Sequence, residues 1–175
     1  GPAVMLAGPR TVCVGSTITL SDITLGGTWS SASPFITIGG TTGIVYGSTP
    51  GTAIVTYSLG SGCTVTGSVV VNPLPASITG SGTLCVGGAS ITLANTTPGG
   101  TWSTSSSTIT IGSSSGVVSG IGAGSGTVTY TVGATGCFRT RSVTINPGPP
   151  AITGNNNICQ GTTTILSDPA TGGVW

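Results

Sequence analysis

"TPGGTWSTSS", residues Thr97 to Ser106, decides how the rest of the chain is read. Its centre, Gly99-Gly100-Thr101-Trp102, also stands at Gly26-Gly27-Thr28-Trp29 and returns as Gly172-Gly173-Val174-Trp175. Trp29, Trp102 and Trp175 are spaced 73 residues apart, and so are Leu20, Leu93 and Leu166. Tyr57 and Tyr130 keep the same interval. Cys63 and Cys137 are 74 apart, while Cys13, Cys85 and Cys159 follow at 72 and 74. "VNPLP" (Val71 to Pro75) comes back as "INPGP" (Ile145 to Pro149), again after 74 residues. Self-similarity at a fixed period marks a repeat architecture, and the one-residue drifts assign insertions to loops. The chain therefore divides into repeat 1 (residues 1–75), repeat 2 (76–149) and the opening part of a third (150–175). That last part would not bury a core by itself. It is expected either to belong to a longer chain or to complete a neighbouring subunit by strand donation.

Within repeat 2, "SITL" (90–93), "GTWS" (100–103), "TITI" (108–111), "GVVSG" (116–120), "GTVTYTV" (126–132) and "RSVTIN" (141–146) alternate with period two. This is the pattern of half-buried strands. Gly, Ser, Asn and Pro clusters separate them, and no stretch has helical spacing with caps. The inward face is predicted as Ile91, Leu93, Trp102, Ile109, Ile111, Val128, Tyr130, Val132, Val143 and Ile145. In repeat 1 it is Ile18, Leu20, Trp29, Ile36, Ile38, Val55, Tyr57, Leu59, Val69 and Val71. Six or seven short strands per repeat predict an all-β fold of small sandwiches. The Gly-Gly pair is expected to make a tight hairpin with positive φ. Trp29 and Trp102, with Tyr57 and Tyr130, are expected to pin the cores rather than serve as sugar-stacking platforms. A buried Trp covers about 200 Å², enough to anchor so small a sandwich.

Charged residues make up 3% of the chain: Arg10, Arg139, Arg141, Asp22 and Asp168, with no Lys, Glu or His. Soluble proteins carry about 25%, so the exterior must be hydroxyl rather than ionic, and Ser and Thr number 56 of 175 residues. Abundant Val, Ile and Thr argue against disorder. No apolar run approaches the roughly 20 residues of a spanning helix. A net charge of +1 gives nothing to steer nucleic acid or acidic lipid.

The order "VCVGSTITL", "GGTWSSASPFITI", "TTGIVYG", "GTAIVTYSLGSGCTVTGSVVVNP" resembles the bacterial immunoglobulin-like domains strung along secreted surface proteins. The "ITGSGTLC" opening of repeat 2 is similar to long repeat proteins of gliding and related Gram-negative bacteria. The likeness spans all three units. It implies tandem immunoglobulin-like β-sandwich repeats of about 73 residues at the cell surface or secreted, and it leaves function open because such modules serve adhesins, stalks and enzymes alike.

Paired cysteines without His imply an oxidising, extracellular setting. The default pairing lies within each repeat, Cys13–Cys63 and Cys85–Cys137, with Cys159 left unpaired. The alternative is Cys13–Cys137, which would staple the repeats lengthwise. It arises because Cys13 and Cys85 precede the second strand while Cys63 and Cys137 fall in or after the last hairpin, which could put the two at opposite ends of a sandwich.

Chemistry is nearly absent. Without His or Glu no general acid–base pair can be assembled, so no enzyme and no cofactor are expected. No metal site is expected either, because there is no CxxC and calcium wants six to eight oxygens. Asp22, Asn95 and Asp168 share one repeat position and should cap a turn through an Asx bond. Asn95-Thr96-Thr97 also fits an N-glycosylation sequon, which makes Asn95 a candidate glycan site. Arg139 and Arg141 read as a solvated strand face. Sheet edges are normally blunted by Lys, Pro or inward charge, and solubility normally needs net charge. Lacking both, the chain is expected to associate with copies of itself in an extracellular filament, stalk or sheath. The second expectation is a spacer or glycan-binding module of a large adhesin or secreted enzyme, with surface glycans as partners.

Overall fold

The computed structural model describes residues 7–60 and 62–174; Trp175, the third tryptophan of the period, lies outside them. Among the described residues, the Thr-rich alternation of repeat 1 becomes seven strands. They are β1 (Thr11–Cys13), β2 (Thr17–Thr19), β3 (Thr28–Ser30), β4 (Ile36–Ile38), β5 (Ile44–Gly47), β6 (Gly51–Ser58) and β7 (Thr64–Asn72). They form two sheets, ordered β1-β7-β6-β3 and β2-β5-β4. β1 runs parallel to β7, with Thr11 opposite Val70 and Cys13 opposite Asn72. β6 and β7 form the long hairpin, paired from Gly51–Val71 to Ser58–Thr64.

Repeat 2 copies this plan with β8 (Thr83–Cys85), β9 (Ile91–Thr92), β10 (Gly100–Thr104), β11 (Ile109–Ile111), β12 (Val117–Gly120), β13 (Gly124–Val132) and β14 (Phe138–Asn146). Its sheets are β10-β13-β14-β8 and β11-β12-β9, and β8 is again parallel to β14, with Cys85 opposite Asn146. No sheet is shared between repeats among the described residues. β1 and β8 escaped the sequence pattern because three residues are too few to display an alternation. Yet each places one side chain, Val12 or Leu84, in the core.

Each repeat has its own core. In repeat 1, Val12, Leu20, Trp29, Ile36, Val45, Ala53, Val55, Tyr57, Val65, Val69 and Val71 form one buried cluster, with Ile18, Ile38 and Leu59 packed at its margin. In repeat 2 the cluster is Ile78, Leu84, Leu93, Trp102, Ile109, Val118, Val128, Tyr130, Val143 and Ile145, with Ile91, Ile111 and Val132 at the margin. Thr and Ser stay outside the two layers, so among the described residues neither core holds a buried polar residue.

The Gly-Gly pair does something other than the expected hairpin. β2 pairs with β5 and β3 with β6, so Gly26-Gly27 lies in a loop that crosses from one sheet to the other. The two glycines are needed for different reasons. The first carries positive φ, 88° at Gly26 and 74° at Gly99, in open space. The second faces a tyrosine ring: a Cβ on Gly27 would stand 2.4 Å from Tyr57 Cζ, and one on Gly100 2.3 Å from Tyr130 Cζ. The Tyr57 hydroxyl accepts from Gly27 N at 2.9 Å and donates to Thr24 O at 2.7 Å. Tyr130 accepts from Gly100 N at 3.1 Å and donates to Thr97 O. Trp29 is the cross-strand partner of Tyr57, with ring centroids 4.7 Å apart, and Trp102 stands likewise to Tyr130. "GGTW" recurs because turn, tyrosine and tryptophan interlock.

The third unit reproduces the first strand contact and the local turns of the other two. β15 (Thr153–Gly154) pairs with β16 (Leu166–Ser167), matching the bridges Ala7–Ser21 and Thr79–Ala94. With no second layer above it among the described residues, Leu166 is 43% exposed, whereas Leu20 is 3% and Leu93 2% exposed.

The sheet edges of repeat 1 are less open than the low charge implies. β1, β2, β3 and β4, the edge strands of repeat 1, are three residues each. Edges this short offer few free backbone groups to a neighbouring sheet, so shortness supplies protection that charge does not.

Candidate functional site at the joint between repeats

The chain leaves β7 at Asn72, crosses residues 73–77 and delivers Ile78 into the second core. Pro75 is fully buried on the way. Cys13, opposite Asn72, therefore marks the exit end of repeat 1. Cys137 closes the β13–β14 turn through Val132 N donating to its carbonyl at 2.9 Å, and it is wholly buried. Arg139, two residues on, donates from Nε to Pro75 O at 2.7 Å, which sets this turn at the end of repeat 2 that receives the linker.

Cys13 and Cys137 are bonded, with Cα atoms 5.6 Å apart and a sequence separation of 124. The within-repeat pairs Cys13–Cys63 and Cys85–Cys137 are not formed, and Cys63, Cys85 and Cys159 are free and exposed. The reason is the length of β7. Cys63 adjoins its first residue, Thr64, while Cys13 lies opposite its last, Asn72. Eight steps of strand at about 3.3 Å separate them by roughly 26 Å, and a disulfide needs Cα atoms about 4.4–6.8 Å apart. The same strand length, in β14, separates Cys137 from Cys85.

The linker is gripped by polar side chains of repeat 2. Arg141 donates from one terminal nitrogen to Ile78 O at 2.7 Å and from the other to Gly80 O at 2.8 Å. Together with Arg139 this fills the flank of β14 that β8 does not reach. Both arginines read in the sequence as a solvated face, and strand alternation carries no information on where a neighbouring linker runs. Their absence from repeat 1, where Val65 and Gly67 stand instead, was the available signal. Thr97 Oγ1 accepts from Ala76 N at 2.8 Å, and Asn95 Nδ2 donates to Ala76 O at 2.6 Å, so the linker residue is held on both sides. Nδ2 is the atom a glycan would be attached to, and here it is half-buried and engaged.

Asn95 also closes an Asx turn, its Oδ1 accepting from Thr97 N at 2.9 Å. Asp22 does the same with Thr24 N at 2.8 Å and Asp168 with Ala170 N at 2.7 Å. Trp29 and Trp102 are each 7% exposed, too covered to offer a ring face to a sugar. Among the described residues no helix is long and apolar enough to cross a membrane. Chemically, the joint ties two folded units through a covalent bond and the Arg139–Pro75 hydrogen bond, while Arg141 fastens the first residues of repeat 2 to its own β14.

No family model matches the chain, and no curated protein does. Solved structures similar to it include the C-terminal 282-residue fragment of intimin in complex with the translocated intimin receptor's intimin-binding domain. The identity is 16%, the TM-score 0.48, and the match covers 87% of this chain and 66% of that one. Domains 1–6 of the surface layer protein SbsC match at 19% identity and TM-score 0.30, covering 87% of this chain and 31% of that one. Drosophila N-cadherin EC1-3 matches at 13% and 0.35, covering 85% and 66%. The chain spans less than two thirds of each of these structures. By its own sheet order and separate cores, it is a tandem array of immunoglobulin-like β-sandwiches.

Proposed function

We propose that this chain is a structural segment of an extracellular bacterial filament, stalk or sheath, in which repeats join end to end and associate with copies of themselves. The observation that carries the reading is Cys13–Cys137, a covalent bond that runs from one repeat to the next. Such bonds persist in oxidising surroundings, which supports a secreted or surface location. The Arg139 hydrogen bond to Pro75 O fastens the end of repeat 1 to the hairpin of repeat 2, which supports an ordered joint. An exterior with 3% charge disperses poorly, which suits faces covered by like modules. Head-to-tail contacts that do not close extend into filaments. The role is non-catalytic and cofactor-free, in keeping with a chain that has no His, Lys or Glu.

The second reading, a spacer or glycan-binding module of an adhesin or secreted enzyme, is favoured by Phe138, which is 55% exposed beside the joint where repeat 1 has Thr64. Sedimentation velocity over a concentration series, with negative-stain microscopy, separates the two. Growing species or filaments are expected. A monomer at every concentration that binds a glycan array through Phe138 would overturn the first reading for the second.

A further inference from the structure

Three cysteines take no part in the bond just described, and they occupy places that the bonded pair defines. Cys85 stands opposite Asn146 on β8 as Cys13 stands opposite Asn72 on β1. The following turn is also the same: Ser16 N donates to Cys13 O at 3.0 Å, Gly88 N to Cys85 O at 3.1 Å, and Thr162 N to Cys159 O at 3.1 Å. Cys63 stands before β7 as Cys137 stands before β14. Leu59 N donates to Cys63 O at 3.0 Å where Val132 N donates to Cys137 O at 2.9 Å. The repeat thus carries one cysteine at its exit end and one on the hairpin at its entry end. Where two repeats meet, the hairpin cysteine is wholly buried and the exit cysteine half-buried. Outside that joint, Cys63 and Cys85 are exposed.

We infer that Cys63 and Cys85 are the open halves of further joints. Cys85 bonds the hairpin cysteine of a following repeat of this kind, and Cys63 bonds the exit cysteine of a preceding one. The result is a one-directional disulfide ladder, and a second copy of this chain carries both of the cysteine faces that a rung requires. Two different cysteines are used at every rung, so the ladder has polarity and homotypic pairs have no place in it. The occupied joint is the template: it brings the equivalent Cα atoms to 5.6 Å. The reaction is thiol–disulfide exchange with a small-molecule or protein disulfide as oxidant. The Cys63 and Cys85′ thiols lose two protons and two electrons and form one S–S bond, while the oxidant's S–S bond breaks and yields two thiols. This inference rests on the end-to-end reading above but tests only its covalent part.

The purified 175-residue chain, with the Cys13–Cys137 bond intact, is incubated concentrated with oxidised glutathione and mapped by non-reducing peptide mass spectrometry. Covalent oligomers joined by a Cys63–Cys85 peptide are expected, with Cys63–Cys159 the other hairpin-to-exit rung, since Cys159 shares the exit turn and is exposed. Cys63→Ser or Cys85→Ser should each reduce that peptide to background while leaving the Cys13–Cys137 peptide unchanged. Homotypic Cys63–Cys63 or Cys85–Cys85 peptides in equal or greater yield would overturn the ladder, as would glutathione capping of both thiols without oligomers. Sedimentation of the Cys63→Ser/Cys85→Ser chain keeps the two ideas apart. Association that persists there alongside a failed map retains the proposed function and removes the ladder.

Discussion

Replacing Gly100 by Ala tests the interlock that makes "GGTW" recur. The added Cβ would lie 2.3 Å from Tyr130 Cζ, 2.4 Å from Cε1 and 2.7 Å from the hydroxyl. Ordinary contact begins near 3.4 Å, so the ring must retreat by about 1 Å. The Tyr130 hydroxyl then loses its bonds to Gly100 N and Thr97 O, each worth about 1 kcal/mol. The tilted Trp102–Tyr130 pair weakens by up to about 1 kcal/mol more. Together these predict a loss of about 3 kcal/mol in repeat 2. At about 4–8 °C per kcal/mol for a domain of this size, its transition should fall by roughly 12–24 °C. Gly99→Ala is the internal control. Its φ of 74° is strained for Ala, but nothing lies within 4 Å, so the loss should be only about 1–2 kcal/mol. Urea titration followed by far-UV circular dichroism and calorimetry measures both. Equal destabilisation by the two variants would refute the interlock and leave only backbone strain. Because repeat 1 has its own core, its transition should stay in place, and Gly27→Ala should reverse the pattern.

Four further outcomes are expected. Removing the bond with Cys13→Ser/Cys137→Ser should lower the unfolding free energy of the bridged segment by at most about 5 kcal/mol for a loop of this length, and scattering should report a looser joint. Arg141→Lys cannot reproduce the fork onto Ile78 O and Gly80 O. Amide exchange at residues 78–80 should speed up several-fold, with a stability cost of about 1 kcal/mol because the side chain is only half-buried. Asn95→Asp turns a donor to Ala76 O into an acceptor, and thermal unfolding should show repeat 2 weakened by about 1–3 kcal/mol. Tyr130→Phe keeps the ring but orphans Thr97 O and Gly100 N, so a loss of about 1–2 kcal/mol is expected, smaller than that of Gly100→Ala.

The repeat, the strands and most of both cores were legible because they are local or periodic. Trp102, Val128 and Tyr130 alternate with Thr, and a strand's side chains must go to opposite faces whatever lies around it. The Asx turns at Asp22, Asn95 and Asp168 were legible for the same reason, since the bond spans two residues. The joint was only half legible. Asn95 sits in a turn and Arg139 on a strand, and nothing in the residues around either tells that a linker carbonyl waits beside it.

By itself, then, the amino-acid order determined a period of 73 residues, an all-β sandwich per period, a nearly ion-free composition and two cysteines in each complete unit. Only the tertiary structure decided which cysteines meet and that Gly26-Gly27 crosses between sheets. The physical reason is distance. Partners 124 residues apart in the chain touch because β7 is rigid and long enough to hold its own two cysteines apart, and the next sandwich is the first body to reach the far one.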